Sequence, residues 1–171
     1  MDGTYPLPAP SYVVNISQAW KIVEDHQDNW QSTLQMFGYI TNNTWLSGSY
    51  GWAYADFLMT GGQGCPGDYN NDQHLHCPGQ TDTEYMTEFA IYAISGSPLL
   101  VATDIRNMTY IMNKVLLNTE IIAVNQQDAT PAGNLAYYYD CKSGVQNGCQ
   151  IWSRQLNETN AIAVVLLNID D

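Results

Sequence analysis

The sequence predicts an α/β fold that ends in an antiparallel β segment, and three observations support this prediction. A short apolar stretch at residues 12–16 is followed by side chains at helical spacing, which is the order of a strand and its helix. The run at residues 98–103 is continuously apolar, as strands buried within parallel sheets are. Beyond about residue 128 the sequence consists of β-rich stretches separated by turn residues.

The first strand and helix are predicted after a proline-rich start. Prolines at positions 6, 8 and 10 favour an extended leader over residues 1–11, because proline lacks the backbone N–H that helices and sheets use. Residues 12–16 form the first predicted strand. Ser17 is then the predicted N-cap of a helix. The apolar side chains of this helix keep roughly helical spacing: Ala19, Trp20, Val23, Trp30, Leu34 and Phe37.

A second strand and a second helix follow. Asn and Gly residues between positions 38 and 50 indicate a loop, and residues 54–59 form the second predicted strand. Asp56 lies where this strand gives way to loop. Residues 61–80 form a polar insertion that is longer than the usual strand-to-helix loop. Residues 81–94 have helical spacing, and Asp82 and Glu84 place negative charge in the first turn, which stabilises a helix start.

The third unit and the C-terminal region complete the predicted elements. Asp104 ends the apolar strand at residues 98–103, residues 110–117 are predicted to be helical, and residues 120–125 form a short apolar piece. Residues 135–141, 149–156 and 161–167 are rich in aromatic and β-branched residues and are separated by turns, which predicts three antiparallel strands. Cys141 and Cys149 are expected to cross-link the first two strands of this region.

The charge of the chain excludes some classes of partner. The 171 residues carry 17 acidic and 5 basic side chains, a formal net charge of −12. Nucleic acids and anionic membrane surfaces attract basic patches, so we expect neither as a partner. No stretch approaches the roughly 20 apolar residues of a membrane span. A neutral substrate is compatible with this charge.

Asparagine and cysteine patterns indicate a secreted protein. Four asparagines begin an Asn-x-Ser/Thr acceptor sequence for N-glycosylation: Asn15, Asn42, Asn107 and Asn157. Four cysteines form two local pairs that predict disulfides in an oxidising compartment. The pairs are Cys65 with Cys77, and Cys141 with Cys149. The first residues lack the basic start and apolar centre of a signal peptide, so we expect a missing or misplaced N-terminus.

The polar insertion also contains the groups of a zinc site. Imidazole, thiolate and carboxylate side chains occur close together there: Cys65, Asp72, His74, His76 and Cys77. An oxidising compartment would pair the two cysteines instead. We therefore favour the disulfide and expect no bound metal.

Two separated stretches carry a resemblance to a known enzyme family. The first reads Trp-Ala-Tyr-Ala-Asp-Phe-Leu-Met over residues 52–59. The second reads Asp-Ile-Arg over residues 104–106, followed by Glu-Ile-Ile-Ala-Val-Asn-Gln over residues 120–126. They resemble glycoside hydrolase family 27, the α-galactosidases and α-N-acetylgalactosaminidases, from about Ala19 to the C-terminus. The chain departs from the family pattern at Ala53 and Tyr54, where the family has Asn and Asp, and at the extra Gln127.

The resemblance implies part of a (β/α)8 barrel. A whole barrel needs roughly 250 residues, so the chain is expected to hold only its last three βα units, over residues 12–127. Residues 128–171 are expected to begin the family's antiparallel β domain. The chain is therefore interpreted as a fragment or degenerate member of the family.

The resemblance also implies a mechanism. Family members hydrolyse terminal α-galactosides with retention, without metal or cofactor, through two carboxylates about 5 Å apart. The nucleophile lies on a Lys-x-Asp strand, and these residues contain no such motif. The acid/base Asp belongs to an Arg-x-x-x-Asp segment just before a helix that carries a Trp. Counting back from Trp20 places Asn15 at that Asp and Ser11 at that Arg.

This count predicts that no catalytic residue is intact. An amide such as that of Asn15 cannot donate a proton as a general acid, so the isolated chain is expected to be inactive. Glycosylation of Asn15 is an equal alternative for that position, because it begins an acceptor sequence.

Asp56 is the strongest candidate for binding substrate, together with Phe57 and Trp52. The resemblance places the matching Asp in the sugar pocket, and a carboxylate beside an apolar wall suits a sugar ring. The alternative is that Asp56 caps loop N–H groups at the strand end. Asp104 and Arg106 are predicted to form a structural ion pair rather than to act in catalysis.

Two functions from different classes follow from the sequence. The first is a galactosidase-like hydrolase whose partner is a galactoside or another carbohydrate. The second is a secreted, non-catalytic carbohydrate-binding protein that keeps Asp56 and Phe57. A partial barrel exposes strand edges that invite pairing with another chain, so we also expect self-association.

Overall fold

The computed structural model describes residues 15–62, 79–128, 130–140, 148–158 and 160–169. In chain order these residues form β1 (Ala19–Lys21), α1 (Trp30–Asn43), β2 (Trp52–Tyr54), α2 (Asp82–Ser95), α3 (Tyr110–Leu116), α4 (Thr119–Asn125), β3 (Asn134–Tyr139), β4 (Cys149–Gln155) and β5 (Ile162–Asn168). Strands β1 and β2 are parallel, and β3, β4 and β5 form an antiparallel sheet. The predicted α/β fold with a terminal antiparallel segment is confirmed at this level.

The first strand among the described residues, β1, lies where the sequence predicted a helix. β1 pairs with β2 so that Trp20 is opposite Ala53, and burial alternates exposed, buried, exposed along its three residues. Asn15 and Ile16 lie in a turn, and residues 12–14 are outside the described residues. The predicted helix start at Ser17 is wrong, because pairing with β2 satisfies the backbone groups of residues 19–21 that a helix would have bonded internally.

The first helix begins 13 residues after Ser17, at Trp30. The Asn29 side chain accepts a hydrogen bond from the Ser32 N–H at 2.9 Å, which is the usual N-cap interaction. Met36, Phe37 and Ile40 form the buried side of α1. The polar segment between Val23 and Asn29 therefore connects β1 to its helix and belongs to neither.

The second strand lies earlier than the predicted residues 54–59, with which it shares only Tyr54, and one isolated bridge follows it. β2 ends at Tyr54, and Leu58 then forms a parallel bridge with Val101. The Leu58 N–H donates to the Leu100 carbonyl at 2.7 Å, and the Ala102 N–H donates to the Leu58 carbonyl at 3.0 Å. The side chains of Leu100 and Val101 are 48% and 36% exposed. The predicted buried strand at residues 98–103 is thus a single partly exposed bridge.

The second helix agrees with its prediction. Thr81 caps α2 in a capping box with Glu84, and Asp82 adds negative charge to the first turn. Gly96 ends the helix with φ 71°, a left-handed conformation that glycine adopts without steric cost. Phe89 and Tyr92 on the buried face of α2 are 1% exposed or less and belong to the main core.

The remaining helices and the terminal sheet follow the predicted order. α3 agrees with the prediction for residues 110–117, and residues 119–125 form α4. The three predicted antiparallel strands are confirmed, with Ile151 opposite both Tyr137 and Leu166. Trp152 of β4 is fully buried in the core that α2 also lines, so the sheet packs directly on the helices.

A buried arginine connects the terminal sheet to the ends of two helices. Arg154 of β4 is 1% exposed. Its guanidinium donates to five backbone carbonyls, those of Ala93, Val124, Asn125, Gln127 and Pro131, at distances of 2.7 to 3.4 Å. The last carbonyls of a helix have no partner within the helix and carry partial negative charge. Arg154 satisfies such carbonyls at the ends of α2 and α4.

None of the helices in the described ranges is long and apolar enough to cross a membrane. Cys149 is disulfide-bonded, and Cys65, Cys77 and Cys141 lie outside the described residues. The two predicted cysteine pairings therefore stay predictions, as does the extended leader at residues 1–11.

Candidate active site

Charged side chains meet at the carboxyl ends of the two parallel strands. Lys21 is the last residue of β1, Asp25 follows four residues later, and Asp56 follows β2 by two residues. Lys21 Nζ lies 2.5 Å from Asp25 Oδ1 and 2.9 Å from Asp56 Oδ2. One ammonium group therefore joins two carboxylates that come from different strands. The carboxyl ends of parallel strands are where α/β enzymes place their chemistry.

The carboxylate of Asp56 is held in a fixed orientation. Asp56 is 5% exposed and has φ 71°, a left-handed conformation that is uncommon for residues other than glycine. Asp56 Oδ2 accepts a hydrogen bond from the His26 N–H at 2.8 Å, and Oδ1 accepts one from the Phe57 N–H at 2.9 Å. Burial opposes ionisation of this carboxyl, but these hydrogen bonds and the Lys21 ammonium together lower its pKa.

Asp25 and Lys21 differ in exposure from Asp56. The Asp25 side chain is 92% exposed and that of Lys21 is 36% exposed. Burial disfavours the charged ammonium, but hydrogen bonds with Asp25 and Asp56 raise the pKa of Lys21 above its ordinary value. Lys21 is therefore a cation at neutral pH, and Asp25 is accessible to a ligand from solvent.

An aromatic pair borders the same carboxylate. The rings of Tyr54 and Phe57 are perpendicular with their centroids 6.0 Å apart, and Phe57 is 44% exposed. Burial first, and then the negative charge of Asp56, raise the pKa of Tyr54 to about 12. The Tyr54 hydroxyl is buried beside the Asp56 carboxylate. This edge of the site thus offers an apolar wall.

A second layer of buried polar groups lies beneath this edge. His26 and Asp28 follow Asp25 in the chain, and Glu88 lies on α2; Asp28 and Glu88 are fully buried. Glu88 accepts hydrogen bonds from the Met59 N–H at 2.7 Å and the Thr60 hydroxyl at 2.9 Å. Burial raises the pKa of Glu88 to about 8 despite these hydrogen bonds. Asp28 accepts a hydrogen bond from the Tyr85 hydroxyl at 2.7 Å.

The structure changes the starting point of the count that gave Asn15. The count that led to Asn15 took Trp20 as the helical Trp, but Trp20 lies in β1 and Trp30 begins the helix. The same offset of five residues before Trp30 gives Asp25, and four residues before that gives Lys21. Asn15 is exposed and precedes β1, at the amino end of the strand, far from where the other side chains converge. The acid/base assignment of Asn15 stays a prediction, but the Trp from which it is counted lies in a strand and not in a helix.

Of the other predicted site residues that the structure describes, only Phe57 lies beside Asp56. Phe57 lies beside Asp56, whereas Trp52 begins β2 and its ring faces the Arg154 guanidinium at 5.1 Å. The structure therefore does not bring Trp52 to the Asp56 edge. Asp104 and Arg106 form the predicted ion pair at 2.8 Å on the surface. The four sequon asparagines are all exposed: Asn15, Asn42, Asn107 and Asn157.

The described part of the chain contains no cluster of three potential metal ligands. The alternative zinc residues Cys65, Asp72, His74, His76 and Cys77 lie outside it, so the expectation of no metal is untested.

Sequence reasoning missed Lys21, Asp25, His26 and Glu88. A Lys-x-x-x-Asp pattern before a Trp-initiated helix was the available signal for the first two. For Glu88 the signal was a carboxylate on the same helical face as Tyr85 and Tyr92.

A broad cavity of about 860 Å³ opens next to Asp25. Asp25 and Glu24 lie on its rim, and its wall is formed largely by amide side chains and one aromatic ring, from Gln27, Asn29, Trp30, Gln31 and Gln35. Amides and aromatic faces are suited to hydroxyl-rich ligands, because they combine donors and acceptors with an apolar surface.

The chain is similar in sequence to known α-galactosidases. Residues 4–127 match the sequence model of a family described as alpha galactosidase A. An alpha-galactosidase of Cyamopsis tetragonoloba is 31% identical over 154 residues, which are 90% of this chain and 32% of that protein. The chain thus spans about a third of the length of that relative.

Solved structures show the same fold. Alpha-galactosidase I from Mortierella vinacea aligns with a TM-score of 0.71 at 24% identity, over 92% of this chain and 39% of that one. The α-galactosidase of Saccharomyces cerevisiae, solved with raffinose, aligns with a TM-score of 0.69 at 19% identity, over 90% of this chain and 36% of that one.

Proposed function

Because the chain belongs to the α-galactosidase family, glycoside hydrolase family 27, we propose that it supplies the acid/base carboxylate and part of the sugar site of a galactosidase-like hydrolase. The observation that carries this proposal is the placement of Asp25 and Asp56 on either side of Lys21, at the carboxyl ends of β1 and β2. In this proposal β1, β2 and the segment around Val101 are the last three strands of a (β/α)8 barrel.

Asp25 is the proposed general acid and base. Its exposed carboxyl protonates the glycosidic oxygen as the bond to the sugar carbon breaks, and the resulting carboxylate then takes a proton from the water that completes hydrolysis. Lys21 Nζ donates a hydrogen bond to Asp25 Oδ1 at 2.5 Å and holds this carboxyl near the carboxyl end of β1.

The retaining mechanism needs a second carboxylate as nucleophile about 5 Å from the first. The 171 residues contain no Lys-x-Asp motif, and Asp56, which is buried and occupied by three donors, is not placed as a free nucleophile. The chain on its own is therefore proposed to bind sugar without turning it over. A complete site requires a nucleophile from outside these residues.

Lys21 and Asp56 are the proposed sugar-binding groups. An ammonium has three donors, and Lys21 uses two of them on Asp25 and Asp56, which leaves one for a sugar hydroxyl. Exposed Phe57 supplies an apolar face for the ring. Sugars commonly bind between such polar groups and an aromatic wall.

A galactoside is the proposed substrate class. The relatives are α-galactosidases, and the Saccharomyces cerevisiae enzyme was solved with raffinose. The exposed sequon asparagines and the disulfide-bonded Cys149 support a secreted glycoprotein. The non-catalytic binder is the second candidate, and the same Lys21, Asp56 and Phe57 arrangement favours it.

Calorimetric binding of galactose and of a galactose-configured iminosugar tests the proposal. The iminosugar carries a cation in its ring, so Asp25 and Asp56 should bind it more tightly than galactose. Asp25→Asn should weaken iminosugar binding about tenfold, the equivalent of roughly 1.4 kcal/mol, and should change galactose binding less. Glu120→Gln, which removes an exposed carboxylate on α4 outside this cavity, should leave both affinities unchanged.

Hydrolysis of a chromogenic α-galactoside then tests the predicted absence of turnover. The proposal predicts no turnover by the wild-type chain alone. Turnover that Asp25→Asn leaves intact would overturn the assignment of Asp25, and absence of any binding would overturn the sugar site.

A further inference from the structure

The residue that follows Asp25 contacts the dipeptide that contains Asp56. The His26 N–H donates to Asp56 Oδ2 at 2.8 Å, and His26 Nδ1 lies 2.8 Å from the Phe57 carbonyl oxygen. A carbonyl oxygen only accepts, so Nδ1 carries the proton of this hydrogen bond. The backbone and the ring of one residue therefore hold the side chain of Asp56 and the carbonyl of its neighbour.

The backbone of the Asp56–Phe57 dipeptide has an unfavourable conformation at Asp56. Asp56 has φ 71°, and its side chain is buried. Residues other than glycine keep such a conformation only where the surrounding structure enforces it. The carboxylate would otherwise be free to turn away from Lys21 as the backbone relaxed.

We propose that His26 is the positioning residue of this site, whose buried imidazole fixes the Asp56–Phe57 dipeptide and so aims the Asp56 carboxylate at Lys21. Since His26 also follows Asp25 directly in the chain, it sets the position of both carboxylates relative to one another. The part of this inference that concerns sugar rests on the proposed function. The part that concerns the orientation of Asp56 does not.

The His26 imidazole is itself fixed by contacts with two helices, α1 and α2. Its side chain has no exposed surface, Nε2 lies 3.0 Å from the Thr33 hydroxyl oxygen on α1, and the ring stacks on Tyr92 with centroids 6.2 Å apart. Glu88 Oε1 on α2 lies 3.6 Å from Nδ1. A ring fixed by two helices can transmit a fixed position to the loop it contacts.

Helix α2 also contacts the rest of the loop at residues 55–60. The Tyr92 hydroxyl donates to the Ala55 carbonyl at 2.5 Å, and Glu88 binds the Met59 N–H and the Thr60 hydroxyl. Residues 55–60 are therefore anchored to α2 on both sides of the Asp56–Phe57 dipeptide, and His26 completes the set of contacts at the dipeptide itself.

The titration of the Asp56 carboxyl carbon, followed by NMR in the full chain without sugar, tests this role. Asparagine places an amide N–H close to where Nδ1–H lies in histidine, whereas glutamine places it near Nε2. His26→Asn should leave the Asp56 titration within about 0.3 units of wild type. His26→Gln and His26→Leu should move it upward by about one unit, because the carboxylate turns from Lys21.

Three results would overturn the proposal: an unchanged Asp56 titration in folded His26→Leu, equal shifts in the asparagine and glutamine variants, or a shift of the same size in Thr33→Val, which keeps the Phe57 contact. If the leucine variant does not fold, the asparagine and glutamine pair decides. Absence of sugar binding by the wild type would refute the proposed function but would leave these titrations interpretable.

Discussion

The ammonium nitrogen of Lys21 lies 2.9 Å from Asp56 Oδ2 and ties the carboxyl end of β1 to that of β2. The two residues are 35 positions apart in the chain and meet because their strands are parallel neighbours. Asp56 is almost fully buried, so this ion pair also determines whether a charge can be kept at that position. The free energy of unfolding should therefore depend on this ion pair of the site as well as on the packing of the fold.

Lys21→Met keeps the length of the side chain and removes its charge. Burial raises the pKa of Asp56, and Lys21 is one of the groups that lower it. Without the Lys21 ammonium the pKa of Asp56 should therefore rise. A carboxyl whose folded pKa lies below its ordinary value of 3.8 contributes stability that is present above that pH and is lost as the pH falls. We expect the variant to be less stable by about 1–2 kcal/mol at neutral pH, since Lys21 is partly exposed.

Chemical denaturation across pH checks this expectation. The difference in free energy of unfolding between wild type and Lys21→Met should shrink as the pH falls below about 3.8. Lys114→Met, at an exposed lysine, should show no such change. A difference that is constant with pH would contradict the account.

Glu88→Gln should change how the free energy of unfolding depends on pH between about 4.5 and 8. The pKa of Glu88 is raised from 4.5 to about 8 by burial, so the folded state holds a proton that the unfolded state has lost. Stability therefore decreases as the pH rises from about 4.5 toward about 8, at up to roughly 1.4 kcal/mol per pH unit. Glutamine is neutral and should remove this decrease, so the variant should be the more stable protein at pH 8.

The comparison needs an exposed control. Glu24→Gln removes an exposed carboxylate and should leave the pH dependence of the free energy of unfolding unchanged. Parallel stability curves for wild type and Glu88→Gln between pH 4.5 and 8 would show that Glu88 is ionised in the folded protein.

Arg154→Met should destabilise the contact between the terminal sheet and the helices. Five backbone carbonyls lose the Arg154 donor. The Ala93 carbonyl keeps the Gly96 N–H, and Pro131 is exposed to water. The other acceptors are left unsatisfied, which costs about 1–3 kcal/mol for each one that water cannot reach. We expect a loss of about 3 kcal/mol in urea denaturation. Arg106→Met removes an exposed ion pair instead and should cost much less stability, because solvent screens such pairs. Equal losses in the two variants would contradict the role of Arg154.

The exposed face of β5 should drive self-association. Ile162, Val164 and Leu166 are 59%, 56% and 76% exposed on one side of the strand, and exposed apolar strands invite pairing with another chain. Sedimentation velocity should show a dimer or larger species for the wild type. Leu166→Lys should shift the population toward monomer, whereas Leu117→Lys, at an equally apolar exposed residue after α3, should not. A wild-type monomer at high concentration would refute this prediction.

The elements that the sequence predicted well carry their own local signals. α2 has a capping box, a charged first turn and a terminal glycine, and the terminal strands have dense β-branched and aromatic residues between turns. Asp104 and Arg106 are two residues apart and pair through local geometry. None of these features depends on distant contacts.

The elements that the sequence misplaced depend on distant contacts. β1 has three residues, too few for alternation to be seen, and Ala19, Trp20 and Val23 also fit helical spacing. Its strand character comes from β2, more than 30 residues later. Because of this misplacement, the count that gave Asn15 starts from Trp20 in β1 and not from Trp30 at the start of α1. Burial of Glu88 likewise depends on Met59 and Thr60, which lie 29 and 28 residues away.

Mapping the chemical shifts of the backbone and side chains while the galactose-configured iminosugar is added tests the central assignment most directly. The account predicts that the largest changes occur at Lys21, Asp25, Asp56 and Phe57, with Asn15 and Trp52 unaffected. Changes centred on Asn15 or Trp52, or no changes at Asp25 in the presence of bound iminosugar, would contradict it.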